Sequence, residues 1–148
     1  MKLVIGVGNM FRRDDGAGPA CASLVKAGAA SDVKVLIRTG EAADLLECWK
    51  RDDEVFIIDA MKAGQPIGSI KRIDGRSGAF PVNDFKLSSH SFGVAEAVEI
   101  GRVLVRLPNK LIIYGIEAGE VGDGQGLTPE VEKAVSDVAK VILAEISQ

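Results

Sequence analysis

The chain alternates short apolar runs with longer segments whose apolar residues recur every three or four positions. An apolar run closed by glycine or a polar residue predicts a buried strand, and strict alternation predicts a half-exposed one. A buried strand is therefore predicted at residues 2–7, further strands at residues 33–39, 55–59 and 111–116, and a half-exposed edge strand at residues 69–74.

Four other segments have the spacing of amphipathic helices. Pro19 suits a first helical position and Gly28 a helix end, while Thr128 and Pro129 suit the start of the last helix. The predicted helices cover residues 19–27, 41–50, 93–104 and 129 to near the C-terminus. The expected buried stripes are Val94, Ala97, Val98, Gly101 and Leu104 in the third helix, and Val131, Val135, Val138, Ile142 and Ile146 in the fourth.

The alternation of strands and helices predicts a mostly parallel sheet with helices on both faces. The length of 148 residues, without an internal repeat, a low-complexity tract or a linker, predicts a single domain over residues 1–148. The longest irregular segment is residues 75–91. Long loops in compact domains are commonly functional or mobile, so this segment is a candidate part of a site.

Charge and composition exclude several classes of function. The formal net charge is −3 and no Lys/Arg-rich run occurs, so nucleic-acid binding is not expected. The apolar stretch at residues 3–7 is too short for a signal sequence or membrane insertion. Cys21 and Cys48 form no CxxC pair and lie in predicted helices, which favours reduced core cysteines in a cytoplasmic protein.

Three polar clusters follow or close strand-like runs. They are residues 6–18, Asp59 after the apolar run that precedes it, and residues 88–91 with His90, the single histidine of the chain. In open α/β sheets, ligands bind at the carboxyl ends of the strands. The clusters are therefore predicted to meet at one edge of the sheet.

Each of these residues also has an ordinary structural interpretation. Asp14 or Asp15 suits a turn or a helix start, Asp59 suits a strand end, and His90 suits a surface or capping position. Taken together they favour a site, because a carboxylate that ends an apolar strand needs a partner for its charge. Two carboxylates and one imidazole form a donor set that suits nickel, zinc or iron better than calcium or magnesium.

Two common nucleotide and nucleophile motifs do not fit. The third glycine position of a dinucleotide-binding G-x-G-x-x-G is Phe11, and Asp14 and Asp15 would place negative charge beside a pyrophosphate. No G-x-S-x-G sequence occurs, so a serine nucleophile of the α/β-hydrolase kind is not predicted.

Four blocks of sequence form a further pattern. They are Gly8-Asn9 with Asp14-Asp15-Gly16-x-Gly18; Ile57-Ile58-Asp59-Ala60 with Gly64 and Gly68; Ser89-His90; and Tyr114-Gly115-Ile116-Glu117 with Gly126-Leu127-Thr128-Pro129-Glu130-Val131. In these blocks, which cover most of the chain, and in their order and spacing, the chain resembles the hydrogenase maturation endopeptidases, which process the large subunit of [NiFe]-hydrogenases.

The resemblance implies an α/β fold: a three-layer αβα sandwich with a five-stranded, mostly parallel twisted sheet, one antiparallel edge strand and helices on both faces. It implies that Asp15, Asp59 and His90 are the metal-binding and catalytic residues, with Asp15 preferred over Asp14. It also implies that nickel is carried by the substrate rather than held tightly by the enzyme. The expected reaction is removal of the C-terminal tail from the nickel-loaded precursor of a hydrogenase large subunit.

Two other classes of protein stay open from the sequence. A phosphoacceptor receiver domain would use Asp14, Asp15 and Asp59, but it needs a lysine after the last strand, where Glu117 stands, and gives His90 no role. A non-catalytic metal-binding chaperone would use the same three ligands. The sequence also leaves open whether the metal activates the attacking water or only positions the substrate.

Overall fold

The structure is a computed structural model that describes residues 1–78, 80–85 and 93–148. Five strands alternate with four α-helices, and the elements agree closely with the hydrophobic pattern. In chain order they are β1 (Lys2–Val7), α1 (Ala17–Gly28), β2 (Val33–Arg38), α2 (Ala42–Cys48), β3 (Glu54–Met61), β4 (Ile70–Asp74), α3 (Val94–Val103), β5 (Lys110–Glu117) and α4 (Pro129–Ile146), with short 3₁₀ helices at Arg13–Gly16 and Val82–Phe85.

The strands form one five-stranded sheet in the order β2-β1-β3-β5-β4. The four strands from β2 to β5 in this order are parallel, and β4 pairs antiparallel with β5 at the edge. The predicted fold class, a mostly parallel sheet with one antiparallel edge strand, is therefore confirmed. None of the helices within the described ranges combines the length and the apolar character needed to cross a membrane.

Side chains that alternate along the central strands build two separate cores, one on each face of the sheet. On one face Val4, Phe56 and Ile58 pack against α1 and α4. On the other face Leu3 and Ile57 pack against α2 and α3. Because both faces are covered, the central strands are apolar throughout, which is why their sequences are continuous apolar runs.

Several boundaries and burial predictions differ from the structure. Helix α1 begins at Ala17, two residues before Pro19, because the preceding 3₁₀ turn continues directly into it. Leu104 was predicted to lie in the buried stripe of α3, but it follows the helix end and is 54% exposed. Cys48 is half-buried rather than in the core, and its thiol donates to the Asp44 carbonyl.

The first turn of α1 lies directly against the carboxyl ends of β1 and β3. A Cβ atom added to Gly18 would lie 2.2 Å from the Val7 carbonyl oxygen and 2.5 Å from that of Ile58. One added to Gly6 would lie 2.3 Å from the Gly18 carbonyl oxygen. This approach is possible only for glycine, and it brings the turn before α1 to the end of β3.

We expect Gly18→Ala to lower the free energy of unfolding by about 3 kcal/mol or more, because a methyl group there meets backbone rather than a movable side chain. Gly78→Ala is the matched control, since an added Cβ at Gly78 meets nothing within 4 Å. Urea denaturation of both variants measures the difference. Equal stability of the two variants would show that α1 can move away from the sheet.

Candidate active site

Asp59 lies in β3, two residues before the strand ends, because pairing with β5 continues to Met61. Its side chain is on the face of the sheet that packs against α2 and α3, and the residue is only 8% exposed. Burial, and then the negative charge of Asp15, raise its pKa well above the ordinary value of 3.8. A carboxylate in this position strongly favours a bound proton or a cation.

Asp15 lies in the 3₁₀ turn that joins β1 to α1, and its side chain is 14% exposed. One carboxylate oxygen accepts the Asn9 N–H at 3.2 Å and lies 3.9 Å from the Arg12 guanidinium. Burial raises the pKa of Asp15, while Arg12 and the Asn9 N–H oppose that rise. Asp15 is thus oriented by the backbone and remains accessible.

The two carboxylates were predicted to meet, and the structure brings them close enough for the charge of Asp15 to raise the pKa of Asp59. Their chain positions are distant, and the contact of α1 with the ends of β1 and β3 joins them. Within residues 1–78, 80–85 and 93–148, they are not part of a group of three or more potential metal ligands.

His90 lies outside the described residues, so the structure does not test its predicted role. The described chain resumes at Gly93, where an added Cβ would lie 2.9 Å from the Gly40 carbonyl oxygen. Gly40 follows β2, at the carboxyl edge of the sheet. The chain therefore enters α3 from the edge that holds Asp15 and Asp59.

Asp14, the neighbour of Asp15, has a purely structural set of contacts. It is fully buried, and it accepts the backbone N–H groups of Gly119, Glu120 and Thr128 at 2.8–3.0 Å. The Thr128 hydroxyl also donates a hydrogen bond to the Asp14 carboxylate, at 2.9 Å. Asp14 therefore ties the turn after β1 to the loop between β5 and α4, which is the turn-stabilising use that the sequence allowed for one of the pair.

Two residues near this edge have roles that the sequence did not indicate. Thr128 stands at the N-cap position of α4, but its hydroxyl bonds to Asp14 and makes no capping bond. Glu117 is 3% exposed at the end of β5, where its carboxylate accepts the Ala63 N–H at 2.9 Å. No local pattern predicts either contact, because the Thr128 and Glu117 partners are 114 and 54 residues away.

The fold and the site define an α/β sandwich protein with a pair of aspartates at the carboxyl edge of its sheet. A family model described as hydrogenase maturation protease matches residues 22–145. The chain belongs to this family, and it is a peptidase of hydrogenase maturation. The predicted resemblance is confirmed, and no contact among the described residues favours a receiver domain or a chaperone.

The chain is also similar to a curated relative in sequence and to solved structures in fold. The chain is 24% identical to the hydrogenase expression/formation protein HupD of Thiocapsa roseopersicina, over 99% of this chain and 67% of HupD. It superimposes on the hydrogenase maturating endopeptidase HybD from Escherichia coli with a TM-score of 0.82 and 24% identity, covering 99% of this chain and 91% of HybD. It also superimposes on the [NiFe] hydrogenase maturation protease HycI from Thermococcus kodakarensis, with a TM-score of 0.72 and 20% identity, covering 99% of this chain and 92% of HycI.

The contacts of Asp14 and Asp15 predict unequal effects on stability for two matched substitutions. Asp14→Asn should lower the free energy of unfolding by about 2 kcal/mol or more, because an amide NH₂ would face buried N–H or O–H donors. Asp15→Asn should change stability by less than about 1 kcal/mol, because its carboxylate accepts a single described hydrogen bond. Urea denaturation of both variants tests this, and equal losses would contradict the assigned roles.

The raised pKa of Asp59 predicts a pH-dependent effect of Asp59→Asn. A folded-state pKa above the unfolded value means that ionisation destabilises the fold increasingly as pH rises above about 4 and through the raised pKa. In metal-free protein the substitution should therefore increase the free energy of unfolding at pH 7 and change it little near pH 3, where the carboxyl group is largely protonated in both the folded and the unfolded state.

Urea unfolding at the two pH values, in the presence of a chelator, measures this difference. Asp32→Asn is the control, because Asp32 is an exposed aspartate before β2. A loss of stability at pH 7 in Asp59→Asn would mean that a cationic group of the protein already compensates the buried carboxylate.

Proposed function

We propose that this protease removes the C-terminal tail from the nickel-loaded precursor of a [NiFe]-hydrogenase large subunit, and that Asp15, Asp59 and His90 form its metal-binding and catalytic site. Family membership supports the reaction. The buried pair of Asp15 and Asp59 supports the use of a metal, because two neighbouring carboxylates in a crevice favour a positive partner.

In the proposed reaction the nickel ion is part of the substrate, because the precursor carries it. The donor set fits a first-row divalent ion, because two carboxylate oxygens and an imidazole nitrogen are ligands that such ions accept. A metal of this kind lowers the pKa of bound water and polarises a carbonyl group. Asp59 and Asp15 supply negative charge at the carboxyl edge, so a positive centre on the partner protein is attracted there.

Asp15 is the carboxylate that is better placed to move a proton. It is the more exposed of the pair, and the Asn9 N–H holds one of its oxygens. A carboxylate beside a reacting water can accept its proton and return it to the leaving amine. Asp59, the more buried of the two, would lose its proton when the substrate metal binds, and its negative charge would then keep that metal in place.

The position of α3 supports including His90 in this site. Gly93 lies against Gly40 at the carboxyl edge, and His90 precedes it by three residues. Three residues span at most about 10 Å of extended chain. The start of α3 at this edge therefore supports the inclusion of His90 in the proposed site.

We also propose a cytoplasmic location. Cys21 and Cys48 are both free, and burial raises the pKa of Cys21 to about 12, which leaves its thiol unreactive. Free cysteines persist most readily in a reducing compartment.

Incubation with the large-subunit precursor tests the proposal, with mass spectrometry of the released tail. We expect cleavage of the nickel-loaded precursor and none of the nickel-free precursor or of an isolated tail peptide. Asp15→Asn, Asp59→Asn and His90→Ala should each abolish cleavage, because an amide is a poor metal ligand and not a base, and alanine offers no ligand.

Asp32→Asn is the matched control and should cleave as the unmodified enzyme does. Efficient cleavage of a free tail peptide in the presence of a chelator would show a protease that does not use a substrate-borne metal. Cleavage by His90→Ala alone among the three would remove the histidine from the site and leave the carboxylate pair.

A further inference from the structure

An apolar cavity of about 260 Å³ lies between the turn after β1 and the loop that precedes α4. Met10 and Phe11 line it from the turn, Leu127 lines it from the loop, and Ala20 lines it from α1. Both segments follow the carboxyl ends of parallel strands, so the cavity opens at the same edge of the sheet as the carboxylate pair.

The walls of this cavity are held by bonds between the two segments. The Arg13 N–H donates to the Gly124 carbonyl, the Gly124 N–H donates to the Phe11 carbonyl, and Arg13 Nε donates to the Gly126 carbonyl, at 2.9–3.1 Å. Asp14 adds its bonds to the same loop. Arg13 adopts φ 51°, a left-handed conformation that these bonds maintain. The cavity is therefore formed before any ligand arrives.

The rim exposes two large adjacent apolar side chains. Met10 is 55% exposed and Phe11 is 59% exposed. Single exposed apolar residues are common on protein surfaces, but two that border a preformed apolar cavity are typical of a binding site. An apolar cavity of about 150 Å³ can hold a benzene ring, so this one has room for a large side chain.

The cavity is close to the site of chemistry. Asn9 precedes Met10, and its N–H lies 3.2 Å from the Asp15 carboxylate. With about 3.8 Å between neighbouring Cα atoms, the Met10 backbone is within about 9 Å of that carboxylate. An extended peptide advances about 3.4 Å per residue, so two or three residues connect the two places.

We propose that this cavity, the Met10–Leu127 pocket, binds an apolar side chain of the hydrogenase precursor two or three residues from the bond that is cut. The inference rests on the proposed function, because it takes the bond to be cut beside Asp15. The pocket would make the enzyme select its cleavage point by an apolar residue as well as by the metal, since burial of one large apolar side chain gives tenfold or greater discrimination.

The test combines an enzyme variant in which a larger side chain fills the pocket with substitutions in the precursor. Ala20→Leu places three further carbons in the cavity, and Ala27→Leu is the control, because Ala27 is exposed two turns later on the same helix. In the nickel-loaded precursor, each apolar residue within four positions of the cut bond is replaced by serine. Both the affinity for the precursor and kcat/KM are measured for every combination.

We expect Ala20→Leu to weaken precursor binding and lower kcat/KM by about tenfold or more, and Ala27→Leu to change neither. One serine substitution should cause a similar loss in the unmodified enzyme and no further loss in Ala20→Leu, which identifies the side chain that occupies the pocket. If every serine substitution adds its full effect in Ala20→Leu, the pocket does not hold the substrate and the inference is wrong.

Unchanged affinity and kcat/KM in Ala20→Leu would also overturn the inference. The same holds if Ala20→Leu changes the oligomeric state of the enzyme but not its cleavage of the precursor. Failure of the proposed function gives a different result, in which the unmodified enzyme binds the precursor and does not cut it. The binding measurements then still decide whether the pocket is used.

Discussion

The contact between the first turn of α1 and the ends of β1 and β3 positions everything else at the carboxyl edge. At Gly18 the helix backbone touches two strand carbonyls, and Gly6 allows the same approach from β1. A side chain at either position would push the helix outward and carry the preceding turn with it. Asp15 is in that turn. The distance between the carboxylates of Asp15 and Asp59 therefore depends on the absence of a side chain at Gly6 and Gly18.

The adjacent residues Asp14 and Asp15 have different contacts. Asp14 stabilises the turn after β1, and Asp15 remains partly exposed. Both carboxylate oxygens of Asp14 accept hydrogen bonds from buried donors of a distant loop, which fixes the turn. Asp15 has one backbone donor and partial exposure, which leaves it free for chemistry. The same bonds that hold the turn also build the wall of the Met10–Leu127 pocket.

The carboxylate pair costs stability in the metal-free protein and favours a cationic partner. Burial and mutual repulsion raise the pKa of Asp59, and burial raises that of Asp15 against the pull of Arg12. Strongly perturbed pKa values of this kind are commonly found at functional sites. Under the proposed function, in which the substrate carries the metal, this unfavourable charge is a source of selectivity, because a substrate that brings positive charge relieves it.

The sequence by itself determined the secondary structure, the layered fold and the family, because periodic burial and strand-end motifs are local properties of the chain. Apolar runs on both faces define the central strands, and Asp59 was placed near the carboxyl edge because it follows such a run, although β3 continues for two residues beyond it. Tertiary structure decided which carboxylate of the pair is structural, what Thr128 binds, and that a pocket exists beside Asp15. These features join residues more than a hundred positions apart, and no local pattern encodes such a partnership. The role of His90 stays a prediction from the sequence, because the described residues do not include it.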